Sequence, residues 1–325
     1  MKAHPLPDGG TIGVPAPASP WEDRSEWDRG TRWWESKGYS VKLSEHAMAR
    51  DDYVAGDPKD RARDVEAMFA DPEVDAVQVF GGGYGSSQVV PHLDLDVIAS
   101  NPKPFLGYSD ITALHIAIRQ GTGLVTFHGP GLAGMAYEAS KDRAFTQERV
   151  LRALTDPAPL GEIPARPDDE YVGALGSGKA RAPIVGGNLW LTRETLGTPW
   201  EIETAGNVLF FEDVYTPPWH VDGMLTHLAN AGKLQDIRGV VVGEMYRPEE
   251  WRHPEPWLRS RSMEDVLEYH LGPLGVPVLT NLPLGHGKHL ATIPLGVEVT
   301  VDADERRLTV EESALEGAGA KGGTS

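Results

Sequence analysis

A chain of 325 residues, 40% of them hydrophobic, is long enough to bury the cores of two ordinary domains. Its formal net charge of −18, with no cluster of Lys and Arg, argues against a nucleic-acid partner, and the absence of cysteine excludes disulfides, thiolate nucleophiles and Cys-based metal sites. No stretch reaches the roughly 18 consecutive apolar residues of a membrane span, and the opening MKAHPLPDGGTIGV lacks the order of a signal peptide, so a cytoplasmic address without a membrane partner is expected.

The first half alternates strand and helix patterns. TIGVPA (11–16) reads as a strand, SEWDRGTRWWESKG (25–38) as a helix ended by Gly38, and YSVKL (39–43) as the next strand. Asp57 then predicts an N-cap with Pro58 at the first helical position, and Ala62, Val65, Met68 and Phe69 share one helical face. A strand at 76–80 runs into a glycine run, FGGGYGSS (80–87). KPFLGY (103–108) predicts a strand, Asp110 to Gln120 a helix closed by Gly121, and LVTFHG (124–129) another strand. This alternation implies a parallel sheet covered on both faces, a flavodoxin- or Rossmann-like α/β domain over 1–155.

The Pro-rich segment TDPAPLGEIPARPDDE (155–170) has linker composition, so a linker is expected over 156–180 and a second domain over 181–316, with a disordered tail at 317–325. In that second domain, strands at 207–213, 237–245 and 276–285 are separated by helices at 221–232 and 262–272. Two alternating strands, VEVTVD and RRLTVEE, meet at the Ala303–Asp304–Glu305 turn, which makes this a mixed α/β domain.

Three local patterns point to chemistry. In the glycine run, backbone N–H groups can face a ligand with no side chain between, as in an oxyanion hole; the tight strand-to-helix turn is the plainer explanation, and no phosphate-binding or dinucleotide spacing follows. In FLGYSDIT (105–112), Ser109 sits where a parallel strand ends and a helix begins, the position of a nucleophile elbow; a helix cap by Ser109 or Asp110 fits as well, and the motif is not G-x-S-x-G. A serine nucleophile needs a base, and His286, flanked by Gly285 and Gly287 in LPLGHGKHL, is presented on a tight loop. The carboxylate that would orient it is Glu212 or Asp213 at the end of VLFFEDV, and alternation along a strand lets only one face the histidine.

Taken together, these motifs resemble the LD-carboxypeptidase family, serine peptidases of the group that includes the microcin C immunity peptidase. The matching segments are GGTIGVPAPASP, YVAGDPKDRARDVEAMFADPEVDAV, GGGYGSSQVVPHLDLDVI, NPKPFLGYSDITALHIAI, TGLVTFHGP, PIVGGNLWLTRETLGTPW, NVLFFEDVYTPPWHVDGML, LQDIRGVVVGEM and LPLGHGKHLATIPLG, nearly the whole chain in the family's order. The resemblance implies Ser109 as nucleophile, Glu212 as the triad carboxylate, His286 as base, and an oxyanion hole from Gly82 or Gly83 with the N–H of Asp110. It implies hydrolysis of the L,D amide bond to a terminal D-alanine in a murein tetrapeptide, without metal or cofactor, by a homodimer whose active site lies in an interdomain cleft.

Gly81 replaces the arginine common beside the family's glycine loop, Trp219 stands where tyrosine is common, and Gly223 where arginine is usual. Tyr84, Trp190, Trp219 and Arg252 are candidate substrate contacts; the tryptophans, including those at 200, 251 and 257, suit stacking on a flat group or ordinary packing. Arg252, Arg259 and Arg261 in the loop 246–262 suit a substrate carboxylate. The glycine loop favours a carboxypeptidase. The alternatives are an immunity peptidase cleaving peptidyl or aminoacyl nucleotide conjugates, and a two-domain binding protein without turnover.

Overall fold

The computed structural model of the protein describes residues 1–21, 23–136, 143–168, 171–247, 257 and 260–317. The chain divides into two compact units: one holds Met1–Leu160, Thr292–Val297 and the described residues from Glu312, and the other holds Gly161–Ala291 and Glu298–Glu311.

The first unit is built on a six-stranded sheet. Strands β1 (Thr11–Val14), β2 (Ser40–Leu43), β3 (Ala76–Gln78), β4 (Phe105–Gly107) and β5 (Thr126–His128) are parallel and ordered β2-β1-β3-β4-β5. Helices α1 (Arg24–Ser36), α2 (Pro58–Ala70), α3 (Ser86–Val89), α4 (Leu95–Ser100), α5 (Thr112–Thr122) and α6 (Arg143–Thr155) accompany it. Two of the expected local signals act as read: Asp57 accepts the Lys59 N–H at 2.8 Å ahead of Pro58, and Ala62, Val65, Met68 and Phe69 are all buried. Strand order reverses between β1 and β3, the switch point outside which open α/β sheets bind ligands. There the chain leaving β1 and the chain leaving β3 are tied by the Phe80 N–H to the Pro15 carbonyl, 2.8 Å.

The structure departs from the sequence reading at the end of α5. The helix runs through Gly121 and is closed by Gly123 at φ 72. Gly121 lies inside the helix because a Cβ there would fall 2.3 Å from Leu95 Cδ1 of α4, so its role is close approach and the left-handed cap falls to Gly123.

The second unit is an eight-stranded mixed sheet. It contains β6 (Gly161–Glu162), β7 (Gly173–Leu175), β8 (Lys179–Asn188), α7 (Leu189–Glu194), β9 (Val208–Val214), α8 (Pro218–Asn230), β10 (Gly239–Tyr246), α9 (Met263–Leu271) and β11 (Val278–Leu282). Between β11 and the closing hairpin, β12 (Ile293–Leu295) leaves this unit and pairs antiparallel with β5, at the edge of the first sheet. The hairpin of β13 (Glu298–Asp302) and β14 (Arg307–Val310) completes an order of β6-β14-β13-β8-β9-β10-β11-β7, with β8 to β11 parallel and the rest antiparallel. Residues 156–180, read as a linker, thus hold the edge strands β6 and β7. The parallel strands are continuous apolar runs: Val208 to Phe211 and Val240 to Val242 are at most 1% exposed.

Candidate active site

The serine turn comes directly off β4. Tyr108 is extended at φ −153 and ψ −175, and Ser109 is then forced to φ 61, a left-handed conformation that a non-glycine residue adopts at a cost of about 1–3 kcal/mol. A single 3-10 turn, Ser109–Ile111, leads into α5. The residue at the N-cap of α5 is Ile111, which has no side-chain cap bond, and the Asp110 carboxylate accepts the Ser86 N–H at 2.7 Å while Ser86 Oγ donates to the Asp110 carbonyl. Thr112 Oγ1 donates to the Ser109 carbonyl at 2.8 Å, and His115 Nε2 lies 2.8 Å from the Gly107 carbonyl. Burial pushes the His115 pKa down to about 4, so its ring is a neutral donor bracing the strand end below the serine. The turn is held from three sides in the shape of a nucleophile elbow.

The glycine loop packs on this elbow. A Cβ on Gly82 would lie 2.9 Å from Ser109 Cβ and 3.3 Å from its Oγ. Gly83, at φ 106, would press a Cβ to 2.3 Å from Ser19 Oγ, the same hydroxyl that accepts the Tyr84 N–H at 3.0 Å. Gly82 thus brings bare backbone up to Ser109, as an oxyanion hole needs, while Gly83 packs on Ser19. Arg61, not singled out by the sequence reading, holds this corner together. Arg61 is buried, and its guanidinium donates to the carbonyls of Pro17 (2.8 Å), Gly85 (2.9 Å) and Gly56 (3.0 Å), and to Gln88 Oε1 (2.7 Å). A signal was available, since Arg61 lies four residues before Val65 on the buried face of α2.

In the second unit, His286 Nδ1 lies 2.6 Å from Glu212 Oε2, across 74 residues of chain. The Nδ1–H donates to the carboxylate, which leaves Nε2 of the neutral ring to carry the lone pair. Burial works against the charged imidazole, but the adjacent Glu212 carboxylate and then the Asp213 and Glu244 charges outweigh it, raising the pKa above the usual 6.5. Asp213, the next residue, has other partners, although Asn188 Nδ2 also donates to Glu212 Oε1 at 3.4 Å. Asp213 accepts from Val214 N (2.8 Å), Thr216 Oγ1 (3.0 Å), Trp190 N (3.2 Å) and Asn188 Nδ2 (3.3 Å), and burial, reinforced by Glu212, pushes its pKa up to about 6. The geometry thus separates the two carboxylates that alternation left open: Glu212 serves the histidine and Asp213 braces the start of α7.

The remaining sequence candidates fall in different places. Tyr84 is 53% exposed and meets Tyr53 edge to face at 5.4 Å. Trp190, 39% exposed, donates its indole N–H to Glu194 at 2.5 Å and carries the Arg193 guanidinium 4.8 Å from its ring. Trp219 packs against His220 with centroids 3.7 Å apart, and His220 meets Trp190 at 6.1 Å. Arg252 and Arg259 lie outside the described residues, while Arg261 faces Asp222 at 3.6 Å. Among the described residues no helix is long and apolar enough to cross a membrane, and no group of three or more His, Asp or Glu side chains could hold a metal.

Comparison with known proteins gives this site its context. Residues 12–129 match the LD-carboxypeptidase N-terminal domain and residues 181–301 the LD-carboxypeptidase C-terminal domain. A probable murein peptide carboxypeptidase of Bacillus subtilis is 37% identical over 98% of this chain and 96% of its own. A putative carboxypeptidase of Streptomyces coelicolor is 36% identical over 95% of this chain and 96% of its own. A solved structure of the microcin immunity protein MccF in complex with glutamyl sulfamoyl guanosine superposes with a TM-score of 0.87 at 26% identity, over 97% of this chain and 100% of that one. With both domains of one family matched in order along the chain, and curated carboxypeptidases alike over nearly all of it, the protein belongs to the LD-carboxypeptidase family of serine-type peptidases.

Proposed function

We propose that the protein hydrolyses the L,D amide bond that joins a terminal D-alanine to the diamino acid of a murein tetrapeptide, through a Ser109–His286–Glu212 triad. The single observation that carries the triad is the 2.6 Å contact of His286 Nδ1 with the buried Glu212, which prepares a histidine as base. In this reading, the Ser109 hydroxyl attacks the amide carbonyl as His286 Nε2 takes its proton. The tetrahedral oxyanion is received by N–H groups of Gly82 or Gly83 and of Asp110, where the backbone is bare and α5 begins. His286 then returns the proton to the leaving amine, and a water activated by the same ring releases the acyl group from Ser109. Glu212 holds the tautomer throughout and stabilises the transient imidazolium.

We take the chain to act as a cytoplasmic homodimer with a small peptide substrate. Likeness to the Bacillus subtilis protein supports the murein reading. A second reading, cleavage of a peptidyl or aminoacyl nucleotide conjugate, is favoured by the Trp190–His220–Trp219 aromatic cluster, which offers ring faces to a base, and by the likeness to MccF.

Mass spectrometry of the purified protein incubated with murein tetrapeptide and with a peptidyl-adenylate mimic, beside Ser109→Ala, tests both. Loss of D-alanine from the tetrapeptide by the unmodified protein alone is expected. Cleavage of only the adenylate mimic transfers the assignment to the second reading, and turnover by Ser109→Ala removes Ser109 as nucleophile.

A further inference from the structure

The loop that presents His286 has glycines on either side, yet neither has a positive φ. Their lack of a side chain answers a different need. A Cβ on Gly285 would lie 2.6 Å from the Glu244 carbonyl, and one on Gly287 would lie 1.6 Å from Glu244 Oε2 and 2.3 Å from its Cδ. The loop therefore rests directly on Glu244, near the end of β10, with the carboxylate beneath the residue after His286. Glu244 is largely buried, its side chain 15% exposed, and its Oε1 is held 3.0 Å from Arg166 Nη1. Arg166 comes from the Pro-rich segment read in the sequence as a linker. The same segment places Asp168 3.1 Å from His289 Nδ1 and 3.5 Å from Lys288 Nζ, two residues that continue the His286 loop.

We propose that Glu244, anchored by Arg166, is a positioning residue for His286: its carboxylate is the floor of the Gly285–His286–Gly287 loop and a further negative charge acting on the imidazole beyond those of β9. Three carboxylates bear on the ring, Glu212 and Asp213 from β9 and Glu244 from β10, and each favours its charged form. Around Glu244 itself stand Arg166, His289 and Asp168; burial raises its pKa, and the Arg166 guanidinium offsets part of that shift. Glu212 sets the tautomer by contact, whereas Glu244 fixes where the loop sits and supports charge on the ring. The catalytic part of this inference rests on His286 being the base; the structural part does not.

The test is Glu244→Gln, which keeps the volume on which the loop rests and removes the charge. Histidine-labelled protein is titrated by NMR, with the His286 resonance identified by its loss in His286→Asn. The expected result is a folded variant whose His286 pKa falls, with the acid limb of kcat/KM moving down by the same amount and kcat lowered at unchanged KM. An unchanged His286 pKa in a folded Glu244→Gln overturns the proposal. Should that variant not fold, Glu244→Asp, which withdraws the charge by one methylene, is expected to shift the pKa the same way by less, and no shift refutes the inference. If the NMR shift appears while His286→Ala retains turnover, Glu244 tunes His286 as stated and the triad reading is what fails.

Discussion

Gly82→Ala tests the oxyanion loop directly. The backbone at Gly82 is not left-handed, so alanine adopts it without conformational penalty, and the whole effect comes from one methyl group. That methyl would lie 2.9 Å from Ser109 Cβ, where carbon atoms ordinarily stand about 3.5–4.0 Å apart, so loop and serine must part by roughly 0.6 Å or more. Its other neighbours, Ser109 Oγ and the Tyr108 carbonyl at 3.3 Å, belong to the same elbow, which His115 and Thr112 hold fixed. Overpacking of this kind costs about 1–3 kcal/mol of stability. A displacement approaching 1 Å at the reacting atom costs on the order of 10²-fold in rate. The variant is therefore expected to fold, to melt a few degrees lower, and to lose on the order of 10²-fold in kcat/KM on murein tetrapeptide. Gly81→Ala is the control, because a Cβ there meets nothing within 4 Å. Full activity of Gly82→Ala, or equal damage from Gly81→Ala, would refute the assignment of this loop to the oxyanion.

Three further outcomes follow from the site. Because Glu212 raises the His286 pKa and the base must be neutral, the acid limb of kcat/KM should inflect above pH 6.5; Glu212→Gln should move it lower and cut the rate on the order of 10³-fold, and a limb that stays put would detach Glu212 from His286. Asp213 binds its proton up to about pH 6 when folded, against 3.8 unfolded, so the native state holds the extra proton between these values and stability falls as pH rises through them. Urea unfolding of Asp213→Asn should escape about 2–3 kcal/mol of the loss that the parent shows from pH 4 to 7.5, and parallel curves would refute this. Arg61→Met should leave the Pro17 and Gly85 carbonyls without their donor and lower the unfolding free energy by about 3–5 kcal/mol, whereas an unchanged urea midpoint would show that the corner holds without it.

Much was legible wherever the determining interactions are local. The Asp57–Pro58 start of α2 and its apolar face, the alternation that makes β1 to β5 parallel, and the β13–β14 hairpin each depend on residues a few positions apart, and capping, periodicity and turn chemistry act at that range. The glycine loop and the strained serine were visible as candidates for the same reason, as consecutive residues at the end of a strand. What lay beyond reach was long-range. Strand alternation states that Glu212 and Asp213 point opposite ways but not which way the histidine lies; the contact across 74 residues decides that. Gly121, read as a helix end, is a packing glycine because α4 happens to lie against it. The Pro-rich stretch looks passive by composition, yet it supplies two edge strands and the Arg166 that holds Glu244. Local sequence determined the elements and the chemical groups available; tertiary packing decided which groups meet, because the energy of a buried contact depends on distances that no local pattern records.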